Sequence, residues 1–590
     1  MELPILNIIP TTREMIDVFG GYNHNLRINE GEFYDMKNLS SDDYPVLSPR
    51  KKRGIYATPD KPSGLLAKDA LCYVDGNNIV INEYPIDMGL STDEAMCPKT
   101  LISMGAYVII MPDKKYINTT DYSDKGKIET VYQSKGVSVL FEMCHKDGST
   151  FNPSASTMPT LTPIDGQYWI DTSEKPYVLK QWSETNAMWM TIANSYVRIM
   201  FYNGGALSFK AGDSVTISGI TTDGLTDLNG IKTIEDISNY TNEYGSHSHI
   251  VVRGIIGGRD TIQDNITIAN KMPEMDFVIE SGNRLWGCRY GLDINGNFVN
   301  EIYASKLGDF KNWNSFDSIS TDSYVASLGT DGQFTGAINY LGNPIFFKET
   351  VMHKVYGNYP ANYRIQDTAC RGVQKGCERS LAIVNEVLYY KTRTGVCAYD
   401  GSLPTEISSA FGDESYFNAV AGPLGNKYYI SMSDSNDKWH LFVYDTKRGM
   451  WHREDETQAV DFCNCRGDLY YIDHADNQIK TVKGTGVTET STVSWEAVTG
   501  VIGTDSPDKK YISRLDVRMN LTVGTRVYFY IEYDSSGKWE HLFTMTGVSL
   551  KSFAVPIRPQ RCDHMRLKIR SDGEAKIYSI CKTIEQGSDI

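Results

Sequence analysis

Apolar and polar residues alternate with a period of two along most of the chain, in paired runs joined by short Gly/Asn/Asp turns. The first pair covers residues 65–84 (LLAKDALCYVDGNNIVINEY), with Asp75-Gly76-Asn77-Asn78 at its turn. This alternation predicts half-buried strands, and Gly or Asn at the turn accepts the positive φ of a tight hairpin. Residues 101–116 repeat the pattern, broken at Pro112-Asp113. It resumes at 277–291 with 300–317, then at 337–357, 380–401, 419–432 with 440–455, and 461–482.

Four of these units align on an aromatic doublet: Phe346-Phe347, Tyr389-Tyr390, Tyr428-Tyr429 and Tyr470-Tyr471. The doublets recur at a spacing of about 40 residues, the length of one four-stranded propeller blade. A single blade cannot bury both of its faces, so neighbouring units must stack around an axis. The expected fold is all-β: a β-propeller of about seven blade-like units, in two parts at 59–128 and 276–490. Between them, 129–275 carries its own strand signals (197–203, 213–220, 250–256 and 264–270) and Gly-rich turns. This predicts an inserted β-sandwich or barrel lodged in a propeller loop, where closure entropy tolerates added length. Residues 491–590 alternate cleanly again and predict a C-terminal β-sandwich with Arg566, Lys568 and Arg570 on one strand face. Residues 1–58 have little periodicity, which predicts an arm running extended across the propeller or onto a neighbouring subunit.

Composition adds less. The chain has 590 residues, too many for one core, so several domains are expected. Its 37 Tyr and 50 Gly favour strands and turns. A formal net charge of −15 argues against adhesion to nucleic-acid phosphates but suits a wall past which DNA slides. Eleven irregularly spaced cysteines read as reduced thiols of a protein assembled in a cytosol. No secretory signal opens the sequence, and no apolar run is long enough to span a membrane.

Candidate chemistry is sparse. His247-Ser248-His249 places two imidazoles on one strand face, but the segment NEYGSHSH has loop composition and no acidic or Cys partner at ligand spacing. Solvated loop histidines are expected there. Cys463-Asn464-Cys465 is expected to bury free thiols in a blade rather than to form a redox or zinc site. Asp75-Gly76, Asp331-Gly332 and Asp400-Gly401 are Asp-rich turns without the ligand run of an EF-hand, and calcium in a blade turn is the minor reading beside that of plain turns. No nucleophile elbow, zinc-protease motif or phosphate loop occurs. The expectation is no enzyme, no catalytic or metal residues and no cofactor. Trp169, Trp182 and Trp189 in the insertion have two readings: a platform on which sugar rings stack, or core residues of the inserted domain, the latter preferred.

Several short motifs resemble the tail nozzle (tubular protein B-like) and tail-stabilisation proteins of tailed bacteriophages. They are Phe19-Gly20-Gly21-Tyr22-Asn23, Glu30-Gly31-Glu32, Asn38-Leu39-Ser40, and the stretch 45–50 ending in Pro49-Arg50. Mid-chain, residues 305–313 around Gly308-Asp309 and the step Val355-Tyr356-Gly357 are similar to turns of the same family. The resemblance implies a virion protein assembled in the host cytoplasm, forming a ring of six copies around the DNA exit channel. It also implies contacts with a portal adaptor, head-tail connector or other tail proteins, and DNA passing through the lumen without specific binding. The alternative is a tail adhesin that binds host cell-wall glycan through the inserted domain.

Overall fold

The computed structural model describes residues 11–586 apart from 174, 244, 294, 295, 490, 505–507 and 548. Among them the regular structure is strands and a few single-turn 3-10 helices. No helix of the described residues is long and apolar enough to cross a membrane.

Seven antiparallel sheets form a propeller. Six are four-stranded, beginning at Pro62–Ala67, Thr100–Met104, Phe277–Ser281, Phe334–Tyr340, Ala382–Val384 and Tyr416–Leu424, and the seventh begins at Ala459–Cys465. We number these blades 1 to 7. Their first strands lie side by side, except that blade 4 meets blade 5 through the 3-10 turn Glu378–Ser380, and that of blade 7 closes the ring against that of blade 1. Arg379, entering blade 5, braces the axis. Its guanidinium donates to the carbonyls of Pro98 (3.2 Å) and Lys99 (3.0 Å) ahead of blade 2, and pairs with Asp461 of blade 7 at 3.0 Å.

The aromatic doublets explain the stacking. Successive residues of a strand point to opposite faces, and both members of each doublet are buried. Phe347 meets Tyr390 at 5.1 Å between blades 4 and 5, while Phe346 joins Trp286 and Ile302 of blade 3. Tyr389 meets Tyr428 at 5.4 Å between blades 5 and 6, while Tyr429 packs with Leu469 and Tyr471 of blade 7. Each doublet therefore fills the clefts on both sides of its blade.

The arm is the main departure from the sequence reading. Its described residues, 11–58, pair with strands of the same chain and contribute strands to two domains. Thr11–Ile16 pairs with Ala575–Gln586, and Phe33–Lys37 pairs with Trp495–Thr499, so each sheet of the C-terminal sandwich gains an edge strand from the arm. Gly54–Ala57 then pairs with Ile479–Thr481 and completes blade 7. The propeller thus begins at residue 54 rather than 59. Between these strands Tyr22 donates its backbone N–H to the Trp451 carbonyl of blade 6 at 2.6 Å. A Cβ on Gly21 would lie 2.1 Å from that same carbonyl oxygen, so glycine is required for the approach.

Ion pairs lock the arm down. Arg53, fully buried, reaches Glu454 at 2.9 Å and Asp455 at 2.8 Å. Burial opposes its charge, but Asp455, Tyr471 and Glu454 outweigh burial and raise its pKa. Arg50 pairs with Glu489 at 3.1 Å, and Lys582 of the sandwich holds Glu14 at 2.9 Å together with Glu30.

The inserted domain is built on an eight-stranded sheet that wraps round its own apolar core, which includes Phe141, Phe201, Ile217 and Ile250. It is moored to the propeller at both ends of the excursion. Lys114 of blade 2 grips Glu129 and Glu274, each at 2.8 Å, where the chain leaves and returns. Asn312 accepts the Ser214 backbone N–H at 2.9 Å. A four-stranded sheet, Ser154–Ser156, Tyr168–Asp171, Val178–Ser183 and Met188–Thr191, lies against the outside of this domain.

Candidate functional site

This outer sheet gathers the three tryptophans. Tyr168–Asp171 pairs with Val178–Ser183, setting Trp169 opposite Lys180 and Ile170 opposite Leu179. The next pairing sets Trp182 opposite Trp189 and Lys180 opposite Thr191. Residues on one strand alternate between faces, while paired residues share a face. One face is thereby fixed as Tyr168, Ile170, Leu179 and Ile192, all packed into or against the domain core. The other carries Trp169, Asp171, Lys180, Trp182, Trp189 and Thr191.

The preferred sequence reading, that the three indoles are core residues, agrees with the burial of Trp169 but is corrected for Trp182 and Trp189, which stay half-buried. Trp169 is buried, yet it lies on the side facing away from the domain core and is covered by its own neighbours. Its Nε1–H donates to Ser156 Oγ at 3.0 Å, Lys180 Nζ sits 5.1 Å from its ring, and Trp189 meets it at 5.3 Å. Trp182 lies 5.6 Å from Trp189. Interplanar angles of 61° and 63° make this a ridge of edge-to-face rings, a favoured arrangement of aromatic quadrupoles, rather than a flat platform. Trp182 and Trp189 remain half-buried, and neither indole N–H meets a protein acceptor among the described residues.

The ridge is electrically quiet. Lys180 and Asp171 are paired at 2.8 Å, and hydrogen bonds from Lys180 and then Ser173 hold the Asp171 carboxyl down to about 2. The face thus offers aromatic surface, two indole donors and a hydroxyl, with its one charge pair internally satisfied.

The remaining candidates are structural. His247 lies in the strand Gly245–Arg253, not a loop: it is buried against Tyr202 and Tyr240 and bonded to Asn242 Oδ1 at 3.0 Å. His249 is also on that strand, where burial and then Arg198 lower its pKa more than Asp236 at 3.7 Å raises it. The expectation of solvated loop histidines fails because a long hairpin extends through this polar segment, pairing Gly230–Asn242 with it. Cys463 and Cys465 both pack in the cleft between blades 7 and 1, and burial pushes both thiols up. The Asp400 turn is closed by the Ser402 backbone N–H and hydroxyl, at 3.0 and 2.6 Å. Among the described residues no group of three or more His, Cys, Asp or Glu side chains is placed to hold a metal.

Most of the residues behind the family resemblance lie at the joints of the fold, while Val355-Tyr356-Gly357 ends a strand within blade 4. Phe19, Gly20 and Gly21 lay the arm beside blade 6 and the sandwich, and Asn23 donates to Glu32 at 2.9 Å. Pro49 sits in the short strand that pairs with Leu39, and Arg50 donates to Asn38 Oδ1 at 2.8 Å. Gly308 (φ +73°) turns the 305–313 loop, whose Asp309 accepts from Lys311 N at 3.0 Å and from Asn312. Asn312 is, with Lys114, one of the residues that moor the inserted domain. In the sandwich, Arg566 lies over the arm's Tyr34 at 4.9 Å and Lys568 over Trp539 at 4.4 Å, so most of the basic strand face is engaged within the chain.

No family model and no curated protein matches the chain. Among solved structures, it is similar to PorZ, a surface component of the type-IX secretion system of Porphyromonas gingivalis. That likeness has 11% identity, covers 88% of this chain and 82% of that one, and has a TM-score of 0.25. It is also similar to an exo-β-1,3-galactanase from Phanerochaete chrysosporium, at 9% identity over 52% of this chain and 94% of that one, with a TM-score of 0.22. At these scores neither likeness bears on function, and the architecture rests on the chain's own strand pairing.

Proposed function

We propose that the chain is a structural protein of a bacteriophage tail, closing as a ring of copies around the DNA exit channel and serving genome delivery by geometry rather than catalysis. The observation that carries this reading is the arm. It supplies an edge strand to each sandwich sheet and the closing strand of the propeller, so two domains are clasped into one stiff wall. The N-terminal nozzle-like motifs coincide with these joints, and the 305–313 motif with the mooring of the inserted domain. A net charge of −15 keeps DNA from adhering to such a wall. Repeated head-to-tail contacts would close the ring, with a head-tail connector as the neighbour along the channel.

Mass photometry of the purified chain, alone and with the connector protein of the same virion, tests the reading. A closed oligomer that seats on the connector is expected. A chain that stays monomeric under both conditions and is missing from purified virions by mass spectrometry would overturn it.

A further inference from the structure

We propose that the outward face of the 154–191 sheet is a binding site for a neutral glycan chain. This is independent of the ring assembly.

A sheet face turned away from its own core ordinarily carries polar residues. Here it carries three indoles, of which Trp182 and Trp189 remain half-exposed, and aromatic surface is costly to leave against water. The indoles stand in a continuous row, with Trp169 to Trp189 at 5.3 Å and Trp189 to Trp182 at 5.6 Å. Mutual tilts near 60° present ring faces in more than one direction. Pyranose rings have an apolar C–H face and an equatorial rim of hydroxyls. Such a ring stacks its C–H face on an indole and meets donors and acceptors at its rim. The unpartnered N–H groups of Trp182 and Trp189 and the exposed Thr191 hydroxyl supply those groups beside the ring faces.

Charge decides between glycan classes. Lys180, the cation on this face among the described residues, is paired with Asp171 and so is not free to recruit a polyanion. At its Trp182 end, the Gly166 N–H donates to the Trp182 carbonyl at 3.0 Å, and the Glu184 N–H donates to Asp165 Oδ1 at 2.9 Å. Two carboxylates, Asp165 and Glu184, therefore flank that end and oppose teichoic or uronic polymers. On the paired strands, the apolar residues of this face other than Val178 are the indoles, and the exposed aliphatics Met158, Leu161 and Ile164 lie in the loop before Tyr168 rather than on the strands of the face.

The test is retention of the full chain on insoluble chitin, cellulose, β-1,3-glucan and teichoic-acid-stripped peptidoglycan sacculi. It compares the native protein with the Trp182→Ala/Trp189→Ala double variant, and circular dichroism melting confirms that both are folded. The native chain is expected to be retained on at least one matrix, with affinity falling about tenfold or more in the double variant, since each lost ring contact is worth roughly 1 kcal/mol. Trp182→Phe is expected to keep part of the retention, because a ring face survives. The proposal is overturned by no retention on any of the four matrices, by retention that the double variant leaves unchanged, or by retention that elutes with salt as an electrostatic contact would. It is also overturned if the double variant instead abolishes self-association in mass photometry, which would make the face a protein contact.

Discussion

Phe19, Tyr22 and Phe33 of the arm are 4%, 5% and 1% exposed, pressed between blade 6 and the C-terminal sandwich. Trp182 and Trp189 of the outer sheet are comparably large aromatics, but they stand half-exposed on the side away from their domain core. The arm's charges differ in the same way: Arg53 is buried against two carboxylates, whereas Lys180 and Asp171 form a shallow pair that levels the charge of an open face. Aromatic and charged residues are used in one region to hold the chain together and in the other to meet something outside it. Sequence composition does not separate these uses. Parity on a strand and the identity of the covering residues do.

The sharpest way to break this contrast is Arg53→Ala. It leaves Glu454 and Asp455 buried with their principal cation removed. Breaking a buried pair from one side costs about 3–5 kcal/mol, and the loss is expected in the unfolding midpoint of the propeller and sandwich in urea. The inserted domain has a separate core, so its own transition should hold its midpoint. A common shift of both transitions would show that the arm also clasps the inserted domain, and the proposed division between the regions would fail.

A pH dependence sharpens the same contrast. His452 lies on blade 6 beneath the arm. Burial, then the nearby Lys427, pushes its pKa from 6.5 down to about 3. The unfolded chain therefore binds a proton below 6.5 that the folded chain refuses until about 3. The stability associated with neutral His452 is intact above the unfolded value and is lost as pH falls between those values, at up to about 1.4 kcal/mol per pH unit. Asp455 loses stability in the same direction but lower. Burial raises its pKa, Arg53 and Arg50 outweigh burial, and the net depression means its contribution disappears as pH falls below the ordinary carboxylate value. Equilibrium unfolding between pH 7 and 4 should show the steeper slope for the native protein than for His452→Gln. Equal slopes would mean that His452 titrates normally and that the arm's seat is wet.

The blade repeat was legible because its signal is local: alternation, turn residues and a doublet of aromatics, each within one unit. The seat of the arm was not, because its partners are distant in sequence. Arg53 and Glu454 are 401 residues apart, and nothing near Arg53 marks it as a core residue. The histidine hairpin was misread because polar residues such as Ser246 and Ser248 mask a strand whose stability comes from the long strand beside it. The facing of the tryptophans was within reach of the sequence. Trp169 and Ile170 are neighbours on one strand and cannot both point at the same core, so placing all three indoles inside left Ile170 and Leu179 without a place. Hydrophobicity outweighed parity in that reading, and parity was the better guide.

The smallest expected effect tests that parity directly. Trp182→Ala removes an indole that touches Trp189 but no residue of the domain core. What is lost is one edge-to-face contact and the partial cover it gives its neighbour, about 1 kcal/mol. The unfolding midpoint of the inserted domain should therefore move only slightly. Trp189→Ala, which breaks contacts to both Trp169 and Trp182, should move it somewhat further. Emptying a packed core site of an aromatic costs about 3–5 kcal/mol instead. A loss of that size at Trp182 would mean that the ridge is packed after all, and the outward face would no longer stand apart from the buried aromatics of the arm.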